Sequence, residues 1–339
     1  MQVLVTGGAG YIGSVLVPKL LKEGHRVKVL DRFFFGKESL KSYSKNKNLT
    51  LIQDDIRWFD PKILKNVDVV LDLAALSNDP AGELDPEKTF EINHKGRARV
   101  AKLSKDSDVK RYILASSCSI YGFQEGVLDE KSPVYPLTTY AKANRKAEIS
   151  TKKLASDKFT VTTLRFATVY GLSNRMRFDL AVNGMTLGYF KNGQVPIMRN
   201  GKQWRPFIHI KDVAQAYLNI INAPKDKING EIFNVGSDQQ NYQILSLAKE
   251  IAGSINMPFK KRWYGNPDSR SYRVSFRKIQ KIICYKPKYT VGQASKEIFS
   301  ALKKNKVTDS IKTRTVEWYK HLIRSKELVE DVLLDNKLL

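Results

Sequence analysis

The chain has 339 residues, above the size at which a single core usually keeps growing, so a main domain with a smaller companion is expected. Apolar residues make up 42% and charged residues 27%, ordinary for a globular protein, and no apolar run approaches the ~18 residues of a membrane span. The net charge of +24 would suit a polyanion, but the lysines are spread along the whole chain without a nucleic-acid motif. No nucleic-acid partner is therefore expected, and a doubly anionic nucleotide diphosphate fits the charge equally well.

The first strand is followed at once by glycines, so the start is read as structural and not as a signal peptide. Cys118 and Cys284 are far apart in sequence, which argues for a reducing cytoplasm and against a disulfide framework. His25, His94, His209 and His321 show no metal-ligand spacing with either cysteine, and no metal site is expected.

In chain order, the apolar strand Val3-Leu4-Val5 runs into Thr6-Gly7-Gly8-Ala9-Gly10-Tyr11-Ile12-Gly13, and an amphipathic helix with Ile12, Leu16, Leu20 and Leu21 on one stripe follows. A strand, a glycine turn and a helix start are the recipe for binding a pyrophosphate at the donor-rich end of a helix. Gly7 allows the tight turn, Gly10 lets the backbone approach the ligand, and Gly13 lets helix and strand pack closely. A second strand, Arg26 to Leu30, ends at Asp31, near the ~20-residue offset at which a carboxylate meets the adenosine ribose hydroxyls. A carboxylate there repels a 2′-phosphate, so NAD is favoured over NADP.

Leu49 to Gln53 is a third strand, followed by Asp54-Asp55-Ile56, where Asp55 is placed to accept the adenine amino group and Ile56 to pack on its ring. Val67 to Leu73 has the near-continuous apolar character of a buried parallel strand, and the small residues after it, Ala74 and Ala75, let a cofactor lie close to the Leu73 backbone. Pro86 to Ser104 reads as one long helix, Arg111 to Ala115 as a strand, Thr138 to Ala155 as a helix carrying Tyr140, and Phe159 to Phe166 as a sixth strand. This alternation specifies a doubly wound parallel (Rossmann) α/β sheet, whose ligands sit at the carboxyl ends of its strands. Ser117 and Tyr140 both fall on that edge. Further on, Pro206 to Ile221 reads as strand and helix, Glu231 to Val235 as a late strand of the main sheet, and Gln240 to Met257 as a helix. The expected division is 1–170 for the cofactor domain, with returning segments near 206–236. Residues 171–205 and 237–325 form a smaller interleaved substrate domain, and 326–339 a tail.

These residues resemble the extended short-chain dehydrogenase/reductases, in particular the nucleotide-sugar epimerase/dehydratase group. T-G-G-A-G-Y-I-G at Thr6, Asp31, D-D-I at Asp54, L-A-A-L-S at Leu73, S-S-C-S-I-Y-G at Ser116, Y-A-K-A-N at Tyr140, R-F-A-T-V-Y-G at Arg165, R-P-F-I-H-I-K-D-V-A at Arg205 and F-N-V-G at Phe233 arrive in the family's order. The resemblance implies NAD as a permanent cofactor, with Gly7, Gly10, Tyr11, Ile12 and Gly13 around its pyrophosphate. It implies a nucleotide-diphosphate sugar as substrate, Tyr140 as the base that takes a sugar hydroxyl proton, and Ser117 on the reacting oxygen. It also implies a homodimer joined through the helices bearing His94 and Tyr140. Arg205 matches the family's diphosphate arginine, Arg270 is the expected second with Arg273 a close rival, and Arg177 and Asn183 fall in the stretch that usually contacts the nucleotide.

The departure is Asn144, one helical turn past Tyr140, where the family has a lysine that lowers the tyrosine pKa and binds the nicotinamide ribose. Asparagine can keep a ribose contact but brings no charge, and Lys142, two residues along the helix from the base, faces elsewhere. Cys118 and Ser119 stand where the family's 4,6-dehydratases carry Asp-Glu, which disfavours dehydration. The resemblance thus implies a C4 epimerase, with a nucleotide-sugar dehydrogenase or reductase, or an NAD-binding protein with impaired chemistry, as alternatives.

Overall fold

The computed structural model describes residues 1–266 and 268–333. Seven strands form one all-parallel sheet in the order Ile232–Val235, Thr160–Phe166, Arg111–Ser117, Val69–Asp72, Gln2–Thr6, Arg26–Asp31, Leu49–Gln53. The strand order reverses beside Gln2–Thr6, and the crevice at that reversal is where doubly wound sheets bind ligands. The continuous apolar runs have a direct cause: Val3 and Val5 belong to the core on one face of the sheet, and Leu4 between them belongs to the core on the other. Ile113 and its neighbours Tyr112 and Leu114 divide in the same way.

The glycine turn follows from close packing. Gly7 has φ +66°, a conformation side chains disfavour, and a Cβ there would lie 2.9 Å from the Ala74 backbone. At Gly13, the first residue of the Gly13–Lys22 helix, a Cβ would fall 2.4 Å from the Gly8 carbonyl oxygen. Both neighbours are backbone and cannot turn aside. Gly13→Ala is therefore expected to cost about 1–3 kcal/mol of stability by overpacking and to weaken cofactor binding, measured by urea unfolding and NAD titration of the same preparation.

Three elements differ from the sequence reading. The helix expected over Pro86 to Ser104 is α-helical at Pro86–Phe90, widens to a π-helix at Glu91–Gly96, and resumes at Arg97–Asp106. Within the widened turn the Asn93 side chain accepts from Leu76 N (2.8 Å) and donates to Leu76 O (3.0 Å), tying it to the strand end. The start of the helix expected at Gln240 is instead a short strand, Asn241–Gln243, antiparallel to Trp204–His209, and the helix begins at Ile244. Asn241 is drawn out of helix by both Val274 backbone groups, accepting from its N–H at 2.9 Å and donating to its carbonyl at 3.0 Å.

The C-terminal helix, Thr315–Val332, starts well before the expected tail and packs on the cofactor domain. Its Trp318 indole donates to Phe34 O (2.7 Å), and Tyr319 packs against Phe34 and Phe35. The last residues of the expected tail, 334–339, lie outside the described residues. A second lobe is built around Val182, Met185, Phe207, Leu247 and Ile251, with the Val291–Lys303 helix packed on it. No helix is long and apolar enough to cross a membrane among the described residues.

Candidate active site

One cavity of about 960 Å³ runs from the glycine turn, along the carboxyl edge of the sheet, to the second lobe. Gly7, Gly10, Tyr11, Ile12, Gly13, Asp31, Asp55, Ile56, Leu73, Ala74, Ala75, Ser117, Tyr140, Arg177, Arg205 and Arg270 all line it; Asn144 and Asn183 do not.

At one end Asp31 lies at the tip of its strand, its Oδ2 accepting from Ala9 N (3.0 Å) and Oδ1 from Phe33 N (2.7 Å). Burial pushes its carboxyl above the usual range, while those backbone donors pull it back. Two lone-pair directions remain for a ligand's hydroxyls. Thr6 Oγ1 donates to Asp72 Oδ1 (2.5 Å) and accepts from Leu73 N and Ala74 N (3.1 Å each), which fixes the small-residue strand end against the turn.

Asp55 differs from its expected role. Its Oδ1 accepts from Arg57 N and Nε, and its Oδ2 from Arg57 Nη2 and Arg32 Nη1, at 2.9–3.0 Å. All four lone-pair directions are filled, so this carboxylate has none to offer an adenine amino group. Ile56 remains as an apolar wall.

At the centre, Tyr140 and Ser117 come together on the cavity wall from the Thr139–Lys152 helix and the end of the Arg111–Ser117 strand. Thr138 caps that helix, accepting from Ala141 N at 3.2 Å. Gly82 lets the neighbouring segment press close, since a Cβ there would sit 2.9 Å from Tyr140 Cβ. Burial and then the Asp79 carboxylate push the Tyr140 phenol above its ordinary value, while Arg97, Ser117 and Arg177 pull it back.

Asn144 lies behind this pair. It is 1% exposed, donates from Nδ2 to Tyr140 O (3.0 Å), and accepts at Oδ1 from Arg97 Nη1 (2.8 Å). The wall of the cavity at this point is Arg97, a residue the sequence reading did not single out. A signal was present: Arg97, Val100, Ala101 and Ser104, spaced as one helical stripe, are all buried.

Arg177 is held by Asp179 (Nη2–Oδ2 2.7 Å), reaches Ser77 Oγ (3.2 Å), and lines the cavity, where its charge acts on both Tyr11 and Tyr140. Asn183, expected to meet the nucleotide, is fully buried. Its amide accepts from Gly171 N (3.0 Å) and donates to Arg177 O (2.8 Å) and the Tyr11 hydroxyl (3.0 Å). It fastens the link between the lobes and has no amide group left for a ligand.

In the second lobe, Arg205 and Arg270 share Asp268, each with a nitrogen 2.7 Å from its Oδ2. Arg270 also pairs with Asp79, and so connects the lobe to the segment beside Tyr140. Arg273 stacks its guanidinium 5.1 Å from the Trp204 ring and does not line the cavity. Arg175, also missed by the sequence reading, lies 3.6 Å over the Phe35 ring and lines the cofactor end, where burial pushes its pKa down to about 10. Among the described residues no group of three or more His, Cys, Asp or Glu side chains is placed to hold a metal.

The cofactor end suits a dinucleotide. The turn leaves the Ala9 to Gly13 backbone along the cavity with no side chain at Gly10, and Asp31 stands at the offset of an adenosine ribose. Residues 3–236 match the NAD dependent epimerase/dehydratase family. The UDP-glucose 4-epimerase of Lactobacillus helveticus is 28% identical over 313 residues, covering 85% of this chain and 93% of that protein. UDP-glucuronic acid decarboxylase 1 of Xenopus tropicalis is 27% identical over 263 residues, covering 75% of this chain and 61% of that protein. The UDP-glucuronic acid 4-epimerase from Bacillus cereus, solved with UDP-glucuronic acid and NAD, superposes with a TM-score of 0.81 at 24% identity, covering 90% of this chain and 100% of that one, a likeness of fold. With the family match over residues 3–236 spanning the sheet, the glycine turn and both Ser117 and Tyr140, the chain belongs to the NAD-dependent epimerase/dehydratase family of enzymes, and its cofactor is NAD.

Proposed function

We propose that the protein is a nucleotide-sugar 4-epimerase acting through transient oxidation at the sugar C4. The observation that carries this reading is the convergence of Tyr140 and Ser117 at the middle of a cavity that has Asp31 and the glycine turn at one end and Arg205 and Arg270 at the other. NAD supplies an acceptor that takes a hydride from the sugar carbon and gives it back. Tyr140 removes the hydroxyl proton as the hydride leaves and returns it to the ketone oxygen on reduction, and Ser117 holds that oxygen by hydrogen bonding. Arg205 and Arg270 have the planar donors that bind a diphosphate, and Asp268 holds both guanidinium groups in place. The names of the relatives favour a uridine diphosphate sugar.

Epimerisation is favoured over dehydration by the two residues after Ser117. Cys118 is 1% exposed, donates its thiol to Arg165 O, and is pushed far above the ordinary thiol value by burial, so it is no acid or base at neutral pH. Ser119 lines the cavity but carries only a hydroxyl.

Asp31 is the proposed ribose ligand. Asp31→Asn is expected to weaken NAD binding by about 1.5–3 kcal/mol, roughly 10–100-fold in Kd, and to narrow the preference over NADP. Calorimetric titration with both cofactors checks it, and an unchanged ratio of affinities would remove Asp31 from the ribose site. The reading includes a homodimer through the helices bearing His94 and Tyr140, where His94 pairs with Ser150 and Ile149 is exposed. Light scattering at micromolar concentration tests that part, and a monomeric mass would contradict it. Turnover of the nucleotide sugar, followed by product analysis, tests the reading as a whole.

A further inference from the structure

The base proposed for this reaction lacks the cation that its own helix would be expected to provide. At position 144, one turn beyond Tyr140, there is an uncharged amide, yet this amide is not idle: its oxygen accepts from Arg97 Nη1 at 2.8 Å while its nitrogen donates to Tyr140 O at 3.0 Å. Arg97 comes from the neighbouring helix, immediately after the π-helical turn. Its guanidinium is 1% exposed and contributes to the cavity wall together with Tyr140 and Ser117.

A guanidinium is rarely buried without full pairing, because desolvation of the charge is costly. Here the pairing is incomplete. Nη2 donates to Asp72 O (3.1 Å) and to Ala115 O, and Nε lies 3.5 Å from Asp72 Oδ2 but has no hydrogen-bond partner among the described residues. The Asp72 carboxylate is itself held by Thr6 and Tyr112, which accounts for one edge of the guanidinium. The Nη1 edge faces the tyrosine helix. Core packing alone does not call for an arginine on the stripe shared with Val100, Ala101 and Ser104.

We propose that Arg97 is the cationic partner of the base, its guanidinium standing in for the ammonium that position 144 lacks, and that Asn144 is the residue that positions it. This rests on the base role proposed for Tyr140. The arrangement explains why Asn suits position 144: its amide oxygen accepts from the guanidinium, whereas a lysine ammonium there would be a like charge beside it. The charged groups around the phenol are Asp79 from the segment capped by Asn78, Arg177 from the link between the lobes, and Arg97 itself, with Asp72 behind Arg97 and Arg270 neutralising Asp79 from the second lobe. Of these, Asp79 opposes ionisation of the phenol, and Arg97 is the leading cation that favours it.

The test is a tyrosine ionisation curve of the NAD-loaded protein, read at 295 nm from pH 6 to 11 and corrected by subtracting the curve of the matching Tyr140→Phe protein. It is paired with the pH profile of kcat/KM. Removing a favourable charge raises the pH at which the phenolate forms. Arg97→Gln is therefore expected to move the Tyr140 midpoint and the acid limb of the profile upward by about 1–3 pH units. Arg97→Lys should leave both near wild type, and Arg97→Gln/Asn144→Lys should return both toward it. A folded Arg97→Gln protein with unmoved midpoint and limb overturns the proposal. If Arg97→Gln does not fold because Asp72 is left unpaired, the Asp72→Asn/Arg97→Gln protein decides: a raised midpoint supports the proposal and a wild-type one overturns it. The absorbance curve needs no turnover, so a wrong substrate would leave the profile blank without altering what the midpoint says of Arg97.

Discussion

Tyr140→Phe is expected to lower kcat on the order of 10²–10⁴-fold, the contribution of a positioned general base, while leaving NAD affinity and the unfolding midpoint near wild type. Among the described residues at the centre of the cavity, the phenol is the group suited to carry a proton to and from a sugar hydroxyl, since the neighbouring Asp79 carboxylate is held by Arg270 and Thr138. Ser117 lacks the acidity, Cys118 is sealed from the cavity, and the guanidinium groups of Arg97 and Arg177 are donors with no lone pair to accept a proton. Because burial and Asp79 raise the phenol's pKa, the phenolate gains population as pH rises, and wild-type kcat/KM should climb through the neutral range toward alkaline pH. Phenylalanine should remove that slope along with the rate. A Tyr140→Phe protein retaining more than a tenth of wild-type kcat would assign the base elsewhere.

The largest stability effect is expected below the site, at Glu148. This carboxylate is 1% exposed and accepts from Arg165 Nε (2.9 Å) and Nη2 (2.8 Å), Ser116 Oγ (2.6 Å) and Arg145 Nη1 (3.0 Å). Arg165 is 2% exposed and donates its remaining Nη1 to the Tyr121 hydroxyl (3.0 Å). Removing one partner of such a pair leaves a buried charge uncompensated, so Glu148→Ala should cost about 3–5 kcal/mol. Through its hydrogen bond from Ser116, Glu148 also joins the Tyr140 helix to the strand ending in Ser117, so the loss should disturb the alignment of the two catalytic candidates. Urea unfolding monitored by tryptophan fluorescence checks the magnitude. A loss below about 1 kcal/mol, typical of exposed ion pairs, would mean that the cluster is solvated in solution.

The features legible in the sequence are those set by local chemistry. A strand feeding Gly7 to Gly13 and a following helix can do little else than make a phosphate-binding turn, and the alternation of apolar strands and helices gives the parallel sheet directly. Ser117 was legible at the carboxyl end of its strand, and Tyr140 through the resemblance carried by Y-A-K-A-N. What stayed hidden depends on partners distant in the chain. Asp55 and Asn183 have the right polarity for ligand contacts, but only the folded chain reveals that Arg57 and Arg32 fill one carboxylate and that Gly171, Arg177 and Tyr11 take up the other's amide. Arg97 was hidden for a related reason. In a helix rich in arginine and lysine it reads as a solvent-facing charge, although its spacing to Val100, Ala101 and Ser104 puts it on their stripe.

The central claim is transient oxidation at C4, and the most direct measurement follows a label placed there. NAD-loaded enzyme is incubated with UDP-glucose and UDP-glucuronic acid deuterated at C4, each in separate tubes at pH 7 to 10, and the sugars are analysed by NMR. The expected result is the C4 epimer of one of them with deuterium still at C4 and no lasting rise in absorbance at 340 nm, because the same hydride leaves and returns. Label lost to solvent, carbon dioxide released with a pentose product, a stoichiometric rise at 340 nm, or no epimer from either sugar at any pH would contradict the account.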